Sequence, residues 1–332
     1  MSTPDMTTTE HTPASPAPTA AAPRRRGSPR LTRLLLADRV ATAAAIVLLL
    51  AALCALLGPL LLGEVAQRQD LALARRPPFS LDLGLFGLLG TDALGRSVLA
   101  RLVVASATTF SVALPTVLLS MLIGSTIGMW AGYHRGLRET VAMRVADVIM
   151  SFPSLLLAVV VLYVFDPSVA TIVLVLTITR IPVYLRTARA EAAQLRSRGF
   201  VDAARTFGTA GGAIIRRHVL PITLPTLLTV ATLDFCYITL AESSLSFLGI
   251  GIQPPDVSWG LMVSEGRTYL RTAWWLSFFP GLAIVVTTVA ATVLSAWVRL
   301  AGDPAQRWRL TAPRSRRPSM ASTAVIDQEA RP

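Results

Sequence analysis

Two carboxylates stand where a soluble protein would not put them. Asp234 and Glu242 lie in a run from Leu220 to Leu248 that is otherwise apolar, hydroxylic or sulfur-bearing. Ionisable groups inside a bilayer are costly, so they mark a pathway or a partner. Their spacing is about two helical turns, which lets both face one side of a helix. Two readings stay open. That face lines a translocation path and attracts a cationic group, or Glu242 pairs with an arginine or caps an interhelical hydrogen bond near the outer end of its span. Arg180 interrupts another apolar run and is expected near the membrane interface, where its long side chain snorkels to headgroups.

Other chemistry is excluded or poorly supplied. The chain has no lysine, so it holds neither a GxxxxGK[ST] phosphate loop nor a Schiff-base amine, and any ATP that drives it binds elsewhere. Ser243, Ser244 and Ser246 have no histidine near them in sequence, and serines beside an apolar helix usually act as packing or hydrogen-bonding glue. His11, His134 and His218 are far apart and fall in no metal-binding spacing. Cys54 and Cys236 lie in apolar runs, where thiols act as small hydrophobes. No catalytic residue, metal site or cofactor is expected.

The elements around these residues belong in a bilayer. Of 332 residues 53% are hydrophobic and 15% charged, with mean hydropathy +0.57, too apolar for a soluble globule. The net charge is +12, all of its positive part arginine. The arginines cluster between apolar runs rather than along one stripe, which argues against nucleic acid. An all-α polytopic protein with six transmembrane helices is expected, at about 40–63, 105–132, 148–165, 168–185, 220–248 and 275–298. The first is read as an uncleaved span. Gly124 and Gly128 form a GxxxG for close backbone approach. Residues 1–36 read as a disordered cytoplasmic tail, 37–304 as the membrane domain and 305–332 as a second cytoplasmic tail. Arginines in the N-terminal tail, after span two, between spans four and five and after span six place both termini in the cytoplasm. Trp274 and Trp275 are expected at the outer interface, Trp130 and Trp297 near the inner one.

The long basic loop between spans four and five reads GFVDAARTFGTAGGAIIRRHVLP, Gly199 to Pro221. Phe200, Ala203, Ala204 and Phe207 recur at helical spacing, so a short amphipathic helix is expected. Gly208 is its stop, and Gly211 and Gly212 form a flexible break. Such a helix lies on lipid headgroups or docks into a protein groove.

This loop resembles the EAA motif of binding-protein-dependent ABC importer permeases, with Asp202, Ala203, Ala204, Gly208, Leu220 and Pro221 in its defining places. Asp202 replaces the usual Glu, and His218 stands where the general pattern has Ile. LGTDALGRSVLARL (Leu89 to Leu102), AESSLSFLGIGIQPPDVSWG (Ala241 to Gly260) and FPGLAIVVTTVA (Phe279 to Ala290) resemble the dipeptide, oligopeptide and nickel class of that family, over roughly residues 37–304. The resemblance implies a type I importer permease forming half of a pathway for peptides or a related solute such as nickel. It implies partners as well: separate ABC ATPase subunits, a second homologous permease, an extracytoplasmic solute-binding protein and the lipid of the cell inner membrane. Residues 199–217 would form the coupling helices, with Asp202 a polar anchor and Gly208 the turn between helical pieces. An ATP-independent carrier or channel is the alternative, though it would show internal repeats and need no coupling loop.

Overall fold

The computed structural model describes residues 31–302, and among them it is helical with no strand. Helix α1 (Leu31–Ala37) and α2 (Arg39–Gln67) open the chain, followed by an irregular segment carrying short 3-10 turns at Leu71–Leu73 and Leu81–Gly87. Then come α3 (Val98–His134), α4 (Leu137–Met150), α5 (Ser154–Val164), α6 (Val169–Arg196), α7 (Gly199–Thr206), α8 (Gly211–Ile214), α9 (Leu220–Phe247), α10 (Trp259–Gly266) and α11 (Trp275–Gly302). Most of residues 1–36, and all of 305–332, lie outside the described residues; positions 31–36, read as tail, are helical.

Five helical runs are long and apolar enough to cross a membrane: Arg39–Gln67, Val98–His134, Val169–Arg196, Gly211–Phe247 and Trp275–Ala301. The segment read from sequence as a further unbroken span from Val148 falls on α4 and α5, which are bent by 78° between Met150 and Ser154; taken together they bring the number of crossings to six. Pro153 is the physical reason, because proline has no N–H to donate and pushes the residue before it out of the α region. Gly211 and Gly212 also differ from expectation. They begin a helix that continues through a π turn, Ile215–Val219, into α9. The break in the loop therefore lies earlier, at Gly208 with φ +77°.

Apolar burial fixes the arrangement. At one end Leu34 and Ala41 pack with Trp297 and Ala301, joining α1, α2 and the end of α11. The end of α3, the end of α6 and the start of α9 share a second cluster containing Met129, Tyr133, Tyr184, Leu195 and Leu227. The Ser295 hydroxyl donates to the Thr229 carbonyl at 3.3 Å, tying these two clusters to the same end of the bundle. At the other end Val98, Phe110, Trp259, Met262 and Trp275 pack together. The tryptophans divide accordingly. Trp274 and Trp130 are exposed, whereas Trp275 and Trp297 are buried. Trp275 donates its indole N–H to the Thr91 carbonyl at 3.2 Å, so it braces helices where an interfacial anchor was expected.

The closest helix pair is α3 with α6, and glycine makes it possible. A Cβ at Gly124 would stand 2.6 Å from the Ile181 carbonyl oxygen and 2.8 Å from the Tyr184 Cβ; Gly128 and Gly132 meet the Leu185 and Arg189 backbone in the same way. Between apolar helices in lipid such contact replaces the hydrophobic drive that water would supply. Gly124→Leu is expected to lower stability by about 1–3 kcal/mol or more, because a backbone carbonyl cannot swing aside. Gly63→Ala, whose Cβ would meet nothing within 4 Å, serves as the control. Thermal unfolding in detergent checks both; equal melting temperatures would mean that the two helices separate without cost.

Candidate functional site: the basic loop and two buried carboxylates

Helix α7 has apolar residues on more than one side, and the bundle buries only part of them. Val201 is fully buried among Met129, Tyr133, Ala188, Ala192, Ile214 and Val219, and Ala204 packs at the edge of the same cluster. Phe200 and Ala203 are turned outward, and Phe207, just past the helix, is 88% exposed. Four residues read from sequence as one stripe therefore divide, with Ala204 inward and the other three outward. The anchoring Val201 was missed, because two helical turns contain too few residues to show which apolar side faces the bundle.

Arg205 fixes the orientation of α7. Its guanidinium lies 5.0 Å from the centroid of the Tyr133 ring, its Nε donates to the Tyr133 hydroxyl at 3.1 Å, and its Nη1 donates to Asp202 Oδ1 at 3.2 Å. Asp202 is exposed at the first turn, on the outer side. The following residues tie the loop to the same place. A Cβ at Gly211 would stand 2.9 Å from the Tyr133 ring, and Phe200 and His218 bring their rings to 6.3 Å. Leu220, half-buried, continues into α9, whose first turn carries the exposed Pro221. Val201, Tyr133 and Arg205 thus tie α7 to the ends of α3 and α6, and α8 ties it to α9.

Asp234 and Glu242 belong to separate networks. Asp234 is buried and accepts from Arg180 Nη2, whose guanidinium carbon also lies 4.3 Å from the centroid of the Tyr237 ring. This corrects the expectation for Arg180: it does not snorkel to an interface but pairs inside the bundle. A half-buried guanidinium among apolar helices is least costly beside an opposite charge. Glu242 is fully buried with no arginine on it. It accepts from Ser246 Oγ at 2.8 Å and Ser243 Oγ at 3.3 Å, and Ser246 Oγ in turn accepts the Ile252 N–H at 3.0 Å. Glu242 therefore holds the turn that leaves α9 for the segment before α10. Gly251 presses on Ser246 and Gly260 on Ser243; a Cβ on either glycine would stand 2.5 Å from its serine, so the segment packs directly over the end of α9.

At that same end Asp92 is a hub that sequence reading did not single out. Its Oδ1 accepts the N–H groups of Leu94 and Arg96, each at 2.9 Å, and its Oδ2 accepts Arg96 Nε at 2.6 Å and Arg101 Nη1 at 2.7 Å. Arg101 also reaches Glu265 Oε2 at 2.8 Å. The GTDALGR run is thus a closed turn, with Gly90 and Gly95 at φ +78° and +73°. The spacing of one acid and two arginines was its signal.

Residues 124–307 match the family described as binding-protein-dependent transport system inner membrane component. A putative peptide transport system permease protein of Brucella suis is 37% identical over 259 residues, 78% of this chain and 86% of the relative. The probable D,D-dipeptide transport system permease protein of Escherichia coli is 32% identical, over 83% of this chain and 91% of the relative. The dipeptide transport system permease protein of Bacillus subtilis is 35% identical, over 83% and 85%. With a helical bundle of membrane-crossing length and this match over more than half of its residues, the chain belongs to the family of binding-protein-dependent transport system inner membrane components.

Proposed function

We propose that this chain is the permease subunit of an ATP-driven peptide importer, that it forms half of the solute pathway, and that α7 with the loop to residue 217 receives the stroke of a separate ATPase. The observation that carries the coupling role is the outward apolar face of Phe200, Ala203 and Phe207 on a short helix whose other face is locked to α3 and α6. Asp202 would be a polar anchor beside that face, and Gly208, with its positive φ, the turn that separates α7 from α8. Leu220 and Pro221 would carry the motion into α9. The relatives named above are transport-system permeases, which leaves an ATP-independent carrier without support.

The rest of the assembly follows from the same reading. Residues 37–304 would form the membrane domain in a cell inner membrane, with both termini and the 199–217 loop on the cytoplasmic side, as the arginine distribution favours. One bundle of five or six crossings would need a second permease beside it to enclose a pathway. The opposite end, residues 64–101 and 249–271, would meet a solute-binding protein. Peptides are the favoured solute because the relatives are peptide permeases by name; a nickel chelate remains within the same class.

Purifying the tagged chain from its native membrane tests this. Recovery of an ATPase, a second permease and a binding protein is the expected result. A homo-oligomer that moves solute in vesicles without ATP would overturn it.

A further inference from the structure

The Arg180–Asp234 pair lies within two of the helices long and apolar enough to cross a membrane. Asp234 sits in the middle of the 28-residue α9, and Arg180 lies in the apolar part of α6 before Arg186. The Arg180 side chain is not fully used. Arg180 Nε and the buried Thr177 Oγ1 have no hydrogen-bond partner, and the buried Tyr184 hydroxyl lies against Asp234. Thr177, Arg180 and Tyr184 follow one another at three and four residues, so they share a face of α6. Beside them the third span breaks. Ser154, the first residue of α5, shares a 2.6 Å hydrogen bond with the hydroxyl of Tyr237, over whose ring Arg180 lies.

Buried polar atoms in folded proteins almost always find partners. Two unpartnered buried atoms at one ion pair, beside a tyrosine hydroxyl and an interrupted helix, are therefore more than a structural bridge requires. Broken helices at membrane depth are tolerated where they are buried in protein or line a cavity. Asp234 is enclosed, whereas the Arg180 side chain keeps 18% of its exposure.

We propose that this cluster is a station, within the membrane-crossing helices, for a zwitterionic solute. It rests on the peptide reading above and adds its chemistry: Arg180 releases Asp234 to take the solute carboxylate, and Asp234 takes the ammonium group. The Tyr184 and Thr177 hydroxyls donate to the solute's oxygens. Pairing is exchanged rather than broken, so no charge is left alone in either state. When the station is empty the internal pair keeps it neutral, which a bilayer demands.

The test uses the complete importer in vesicles, with its ATPase, second permease and binding protein. A pool of unblocked di- to pentapeptides is offered, and entry is read by mass spectrometry. Replacing both charges by apolar side chains, Arg180→Met with Asp234→Leu, is compatible with folding, since buried ion pairs are often exchanged for hydrophobic residues without loss. The double variant is expected to keep its melting temperature while import falls about a hundredfold, the equivalent of two lost charge-assisted contacts at about tenfold each. Import at the wild-type rate would make the pair purely structural and overturn the station. Should the double variant not assemble, Arg180→Lys keeps the charge but loses the planar fork. A raised KM for import at unchanged melting temperature is then expected, and an unchanged KM would overturn the proposal. Wild-type vesicles that admit no peptide would sink the peptide reading itself, and the station with it.

Discussion

A Phe200→Ser/Phe207→Ser double variant is expected to fold and insert as the wild type does, yet to import at least about a hundredfold more slowly. Neither ring belongs to a buried cluster of the bundle: Phe207 is 88% exposed and Phe200 42%. Their loss therefore costs the subunit little. If an ATPase cleft covers them, each ring contributes about 1.5–3 kcal/mol of burial there. The pair together is then worth roughly 3–6 kcal/mol, or 10²- to 10⁴-fold in affinity for the partner. Val201→Ser should do the reverse, since that side chain is fully enclosed by the bundle: it lowers stability before it touches coupling. ATP hydrolysis, peptide uptake and melting temperature in reconstituted vesicles separate the two cases. Wild-type import by the phenylalanine variant would instead put this face on lipid headgroups, the other home for a short amphipathic helix.

The membrane crossings were legible because a bilayer asks for one thing, a long apolar run, and the sequence supplies it without ambiguity. Their ends were less so. The fourth span reads as finished at Leu185, whereas the helix continues to Arg196. Arg186 and Arg189 stop the hydrophobic pattern but not the backbone hydrogen bonds, and each finds a carboxylate on α4, Asp147 and Glu139. The third span differs in another way, since Val148 to Phe165 carries no charge and only Pro153 betrays the bend. Hydropathy reports where a segment is soluble, not whether it is straight.

The candidate site was legible where residues act locally and obscure where they act across the fold. Gly208 announces a turn by itself. Arg205 on Tyr133 spans 72 residues and Arg180 on Asp234 spans 54, and no periodicity encodes such pairs. A weaker signal existed: two opposite charges in separate apolar runs have reason to seek each other, because each alone is costly. Snorkelling was the wrong solution for Arg180 because Asp234 of α9 stands within its reach across the bundle, a contact that no local pattern encodes.

The same cost argument gives the largest stability effect at the other end of the bundle. Asp92→Ala is expected to destabilise the protein by about 3 kcal/mol, the lower end of what breaking a buried pair costs. Asp92 and Arg101 are both 5% exposed, so water cannot replace the lost carboxylate. Arg101 keeps Glu265, which places the loss at the lower end. The turn fails as well, because the Leu94 and Arg96 N–H groups lose their acceptor. With it goes the support for Thr91, whose hydroxyl accepts the Arg76 N–H at 2.8 Å and donates to the Leu73 carbonyl at 2.5 Å. Asp92→Asn separates the contributions, since a side-chain carbonyl still accepts from the turn while the charge is gone. Asp92→Ala with Arg101→Leu should recover part of the loss by removing the stranded guanidinium, and a double-mutant cycle measures how much. Melting curves in detergent give the answer: an Asp92→Ala protein as stable as the wild type would mean that Glu265 alone satisfies Arg101 and that the turn holds without the carboxylate.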